Sequence, residues 1–218
     1  MKKATKELFL RVITLMIGLT IAHLGVTLFL LANLGADPFN VFVQGIFRTL
    51  SGIISFSLLT HGNTHMCISF LIILVLLLVD KHYIKIGTVL CMFCGGPIID
   101  FFQWLLAPLF ANYPTLWFKI PMLAIGCIIL AFGMTIVIKS DAGTGPNDLV
   151  AVVISDKSKK KFSIVRMIVD FSFVLIGFLL GGSFGIGTII CAFLVGPVAG
   201  FFLPKSEAGI KTILTKLL

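Results

Sequence analysis

Six stretches of about 20 predominantly apolar residues fill most of this chain, and a helix of that length is what crosses a bilayer's hydrocarbon core. They run roughly over 9–31, 64–80, 84–107, 117–138, 163–181 and 184–203, and no segment large enough for a separate soluble domain is left between them. Hydrophobic residues make up 58% of the 218, charged residues 12%, and mean hydropathy is +1.13. Soluble domains hold about 45–50% apolar and about 25% charged residues. The expected fold class is an all-α polytopic membrane protein of the cell membrane.

The start, MKKATKELFLRV, has the charged character of a signal peptide. The apolar run after it is too long and lacks a small-residue cleavage site, so a retained first helix is expected. The net charge of +8 invites a nucleic-acid reading, but membrane topology accounts for it. With six spans and a cytoplasmic N terminus, fifteen of the seventeen Lys and Arg residues fall inside, and only Arg48 and Lys119 fall outside. The positive-inside rule therefore puts both termini in the cytoplasm, with the run SDKSKKK facing anionic headgroups. The bilayer is the expected partner, and nucleic acid is not.

The chain also resembles itself. A slide of 108 residues matches Leu15, Ile17, Gly18, Ile21, Gly25, Thr27, Gly35 and Pro38 with Leu123, Ile125, Gly126, Ile129, Gly133, Thr135, Gly143 and Pro146. A slide of 100 matches IGTVLCMFCGGPIIDFF (86–102) with IGTIICAFLVGPVAGFF (186–202), nine of seventeen positions being identical. The smaller offset implies a shorter connector around 157–162 than around 50–62. Two repeats are expected, 1–112 and 113–218, forming one membrane domain. Each holds three spans, an odd number, so the two insert with opposite topology about a pseudo-two-fold axis in the membrane plane.

Each repeat is interrupted once, by LGADPFN at 34–40 and by AGTGPND at 142–148. Proline fixes φ and disfavours helix just before it, and glycine admits conformations closed to other residues. Each motif should therefore end one helix and begin a short second one at its proline, with Asp37 as cap in the first and Thr144 or Gly145 at that place in the second. A helix start offers free N–H groups and a positive dipole end. The residues expected to contact solute are Asp37, Pro38, Asn40 and Gln44 from the first motif, and Gly143, Pro146, Asn147 and Asp148 from the second.

Ionisable groups within spans are candidates for function because an unpaired charge in hydrocarbon is costly. They are Asp100, Arg166, Asp170 and His23. Arg166 and Asp170, four apart on one helix, should pair. His23 could exchange protons, its ordinary pKa lying near neutrality. Asp100 has Gln103 on its face. His61 and His65 lack a third ligand, so no metal site is expected. Cys67, Cys91, Cys94, Cys127 and Cys191 all fall within spans. Since Cys91 matches Cys191 in the repeat while Cys94 matches Leu194, the CMFC pair reads as packing residues and not as a redox pair. No catalytic triad, phosphate loop or dinucleotide motif is present, so neither catalysis nor a cofactor is expected.

A first helix ending in LGADPFNVFVQGI, followed by IGTVLCMFCGGPIIDFF, resembles the YczE/YyaS/YitT-type bacterial integral membrane proteins, whose first repeat carries a glycine, proline, aromatic, acid motif and then a glycine. The likeness rests on Gly35, Pro38, Phe39, Gly45, Gly87, Thr88 and Gly96 and covers most of the chain. Asn40 stands where that motif often has an acid, and Asp148 keeps the acid in the second repeat. The resemblance implies fold and membrane location, not an activity. The leading functional expectation is a small secondary-carrier-like protein moving or binding a small polar or anionic solute between the repeats. The alternative is a non-transporting membrane partner or substrate-capturing subunit of a larger importer or complex, meeting its partner or a second copy through small residues such as Gly18, Ala22 and Gly25.

Terminal fusions test the orientation. A fluorescent reporter that matures only in the cytoplasm should light up at both ends, and a phosphatase active only outside should stay silent. Phosphatase activity at the C terminus would reverse the assignment.

Overall fold

A computed structural model describes residues 3–35, 37–53, 61–113 and 115–217, with side chains from residue 5 onward and outside 61–62. The middle of the first connector, 54–60, and the His61 side chain lie outside the described residues. Eight α-helices are described: α1 (Lys3–Ala32), α2 (Pro38–Ile53), α3 (His61–Asp80), α4 (Ile86–Asn112), α5 (Leu116–Lys139), α6 (Pro146–Ser158), α7 (Phe162–Leu179) and α8 (Ile186–Leu217). A single 3₁₀ turn, Lys81–Tyr83, joins α3 to α4, and no strand occurs among the described residues. Six helices, α1, α3, α4, α5, α7 and α8, are long and apolar enough to cross a membrane.

The expected last span stopped near 203, but α8 continues to Leu217. Its polar end keeps a buried stripe of Ser206, Ile210 and Leu214. Glu207 anchors that end, accepting from Lys139 of α5 at 2.6 Å and from Lys211 at 2.7 Å. Tertiary ties thus prolong a helix that hydropathy alone would end.

α1 and α5 form the most extensive helix pair among the described residues, with α4 against α1 and α8 against α5. Small residues make the close approach possible. A Cβ on Gly133 would sit 2.7 Å from the Gly18 carbonyl oxygen, and one on Gly126 would sit 2.8 Å from that of Gly25. These contacts recur at an interval of 108 residues. Gly18 meets Ile136 and Val137, and Gly126 meets Leu28 and Phe29. Around this seam lie Phe29, Leu123, Cys127, Ala131, Met134 and Val195 as one buried cluster, and Leu15, Leu19, Cys91 and Val137 as a second.

The two short helices begin within the bundle. α2 follows the last third of α7, with Phe39 against Phe173, Gly45 against Gly177 and Arg48 on the Gly181 carbonyl. α6 follows the last part of α3, with Leu149 and Val153 packed on Leu76, and Lys157 reaches Asp80 at 3.7 Å. α2 ends beside Gly181, just past the end of α7, while α6 ends just before α7 starts, so the two finish beside opposite ends of α7.

Adding a side chain to the seam should be costly. Gly133→Ala or Gly25→Ala should destabilise the purified protein by about 1–3 kcal/mol, the usual range for overpacking. Gly96→Ala, whose Cβ meets nothing within 4 Å, should leave thermal unfolding unchanged.

Candidate functional site

Gly35 and Gly143 both adopt left-handed backbone, with φ of 131° and 140°, where a side chain would be strained. Each thereby delivers a carbonyl next to it to the first turn of a distant span. The Gly87 N–H of α4 donates to Ala142 O at 2.8 Å, and the Gly187 N–H of α8 donates to Leu34 O at 2.8 Å. Helix-start N–H groups have no partner within their own helix, so these bonds satisfy α4 and α8 and fix the motifs in place.

At the start of α2 the expected cap is present. Asp37 Oδ1 accepts from the Asn40 backbone N–H at 3.2 Å, and Asp37 Oδ2 accepts from Asn40 Nδ2 at 2.6 Å. The start of α6 differs. Pro146 is buried at its first turn, Gly145 precedes it without a side-chain cap, and the half-buried Asp148 occupies that first turn. Asn147 Nδ2 donates to Asp148 Oδ1 at 3.2 Å.

Arg166 of α7 joins these pieces. Its Nε donates to Asp170 Oδ2 at 2.9 Å, the pair expected from i, i+4 spacing, and its Nη1 donates to Asp148 Oδ1 across to α6. Arg166 is 8% exposed and Asp170 1%. Asp170 Oδ1 is buried with no hydrogen-bond partner among the described residues. Asp37 and Asp148 both lie within electrostatic reach of Asp170. Cys91 and His23 stand within electrostatic reach of Asp148, and Cys191 within electrostatic reach of Asp37 and Asp170. His23 is held by its Nδ1 against the Leu19 carbonyl at 2.7 Å. Its Nε2 occupies the space that glycine leaves at Gly95, where a Cβ would lie 2.7 Å away.

The structure therefore bonds Asn147, Asp148, Arg166 and Asp170 into one network, with the separate Asp37–Asn40 pair and His23 within electrostatic reach of its carboxylates and Pro38, Gly143 and Pro146 shaping the breaks. Two of the expected site residues lie elsewhere. Gln44, two turns along α2, accepts from the Ser183 N–H at 2.6 Å, beside Arg48, which donates to Gly181 O at 2.6 Å. It fastens α2 to the α7–α8 turn. Asp100 is exposed on α4. His65 packs edge-on against Phe39 at 5.2 Å between ring centroids.

Sequence reading missed a second polar cluster. Asp141, at positive φ, pairs with Lys85 of α4 and with Arg11 of α1 at 3.2 Å, and Arg11 also holds Glu7 at 2.9 Å. Only the SDAG sequence hinted at it, since aspartate tolerates that backbone. Two cavities flank the bundle, one of 380 Å³ between α7 and α8 and one of 770 Å³ between α2, α3 and α6. Their linings are apolar apart from Thr188 in the first and Lys157 and Ser158 in the second, so neither holds the carboxylates. No group of three or more His, Cys, Asp or Glu is placed to hold a metal ion among the described residues.

Residues 9–204 match the family of unknown function DUF6198. Similar proteins include the uncharacterized membrane protein YczE of Bacillus subtilis, 29% identical over 92% of this chain and 89% of its own length. An uncharacterized protein of Haemophilus influenzae is 31% identical over 87% of this chain and 81% of its own length. The uncharacterized protein YyaS of B. subtilis is 26% identical over 88% and 91%. No solved structure matches the chain significantly.

Removing one partner of a buried ion pair leaves the others uncompensated, at a cost of about 3–5 kcal/mol. Arg166→Gln should therefore lower thermal stability strongly. Adding Asp170→Asn to it should recover part of the loss in a double-mutant cycle, and strictly additive effects would show that the pair is uncoupled.

Proposed function

Because this chain belongs to the family of unknown function DUF6198, whose relatives named above carry no stated activity, we propose its function from its own geometry. It is a small carrier-like protein of the cell membrane, binding or moving a small polar solute where two three-helix repeats of opposite topology meet. The observation that carries this reading is an Arg166 clamped between Asp170 and Asp148, the latter in the first turn of half-helix α6, with Asp37 at the start of half-helix α2 within electrostatic reach of Asp170. Broken helices with inward-pointing starts at a repeat interface are how many secondary transporters build their solute sites.

The repeats, 1–112 and 113–218, find support in reciprocal contacts. The first motif bonds the start of α8, and the second bonds the start of α4, through equivalent atoms. The glycine seam repeats its partners at an interval of 108 residues. Opposite topology follows from three spans per repeat, with both termini on the cytoplasmic side. Asp37, Asn40, Asn147, Asp148, Arg166 and Asp170 line the site, and His23 and Asp170 are the groups through which protons would couple to transport. The chemistry is binding and translocation, without a reaction step.

A second reading draws on α4, which leaves Phe93, Phe101, Trp104 and Asp100 exposed. A carboxylate on the open face of a span is costly against lipid, and a partner subunit or a second copy would cover it. On that reading the protein serves a larger membrane complex.

Reconstitution into vesicles decides between them. Asn147→Ala and Asp148→Asn should abolish solute uptake or binding while folded protein is retained. Full activity in both variants would overturn the site, and activity only with a co-purified membrane subunit would favour the second reading.

A further inference from the structure

Charge is unevenly distributed within the cluster. Two carboxylates, Asp148 and Asp170, share one guanidinium, that of Arg166, and Asp37 adds a further negative charge within electrostatic reach of Asp170. A buried charge needs a partner and hydrogen bonds to persist. Arg166 already spends Nε on Asp170 and Nη1 on Asp148. An anion arriving here would meet two carboxylates already bonded to that guanidinium. Nor are the helix starts open to it, because Asp37 caps α2 and Asp148 occupies the first turn of α6.

What the site lacks is a donor. Asp170 Oδ1 is buried, accepts from none of the described residues, and belongs to a side chain otherwise fixed by Arg166. An unmade hydrogen bond of this kind is costly, and it points to a group supplied from outside the chain. An N–H or O–H bearing ligand would satisfy it. A bare metal ion fits less well, since no set of three ligating side chains is assembled among the described residues.

We infer that this site, taken as the solute site proposed above, accepts a small protonated amine whose ammonium donates to Asp170 Oδ1, and that it rejects anions. The ammonium offsets the excess of carboxylate over guanidinium and supplies the missing donor in one step. Asp148 and Asp37 complete its surroundings, and Arg166 keeps Asp170 oriented.

Thermal unfolding of the full chain in detergent tests this with methylammonium, ethanolamine and 1,4-diaminobutane set against acetate, succinate and glycerol at matched ionic strength. A ligand that binds only the folded state raises the midpoint, by about 2 °C or more at concentrations well above Kd. At least one amine should do so, and neither anion should. The shift should vanish in Asp170→Asn and in Asp148→Asn, the second standing in if the first does not fold. It should persist in Asp80→Asn. A shift with acetate or succinate alone would overturn the amine assignment while leaving a solute site standing. An amine shift unchanged in both variants would place the amine elsewhere and also overturn it. No shift with any compound would count against the solute site itself.

Discussion

Hydrocarbon offers a backbone amide no water to bond with, so every interruption of a spanning helix must find its partners inside the protein. This chain interrupts itself twice and solves the problem by exchange. Leu34 O receives the Gly187 N–H and Ala142 O receives the Gly87 N–H. The bonds that permit each break also set the starts of α4 and α8 and hold the ends of α1 and α5 in register. The glycine seam between α1 and α5 depends on that register, because Gly25, Gly126 and Gly133 meet backbone and tolerate little sliding.

From that arrangement follows the polar centre. Once the breaks are fixed, α6 starts with Asp148 in its first turn against Arg166 of α7, and α2 starts behind its Asp37 cap. Arg166 touches both Asp148 and Asp170. A guanidinium can do this because its planar fork donates in several directions at once, where an ammonium on a flexible stem would not be as well oriented. The two halves are unequal here. The first motif caps itself through Asp37 and Asn40, while the second leaves its carboxylate for Arg166.

Much of this was legible in the residues. Apolar runs gave six spans, and the prolines gave the starts of α2 and α6 to the residue, because Pro38 and Pro146 fix φ and suit the first helical position. The i, i+4 spacing gave the Arg166–Asp170 pair. Gln44 lies apart from Asp148 and Arg166 because its position two turns along α2 carries it to the α7–α8 turn. The end of α8 was missed because its stabilisation comes from Lys139 of α5, outside any local window. Asp141 was passed over because its partners, Arg11 and Lys85, are far away in sequence.

The sequence by itself therefore determined the solvent in which the chain folds, the number of spanning helices and the places where they break, since hydropathy and the proline ring act locally. Tertiary structure alone decided which carboxylates share Arg166, that Asp170 keeps an oxygen without a donor, and that Gln44 and Asp100 stand apart. Those outcomes depend on which helices lie side by side, and packing sets that through contacts between residues about 100 positions apart, where no short-range pattern reaches.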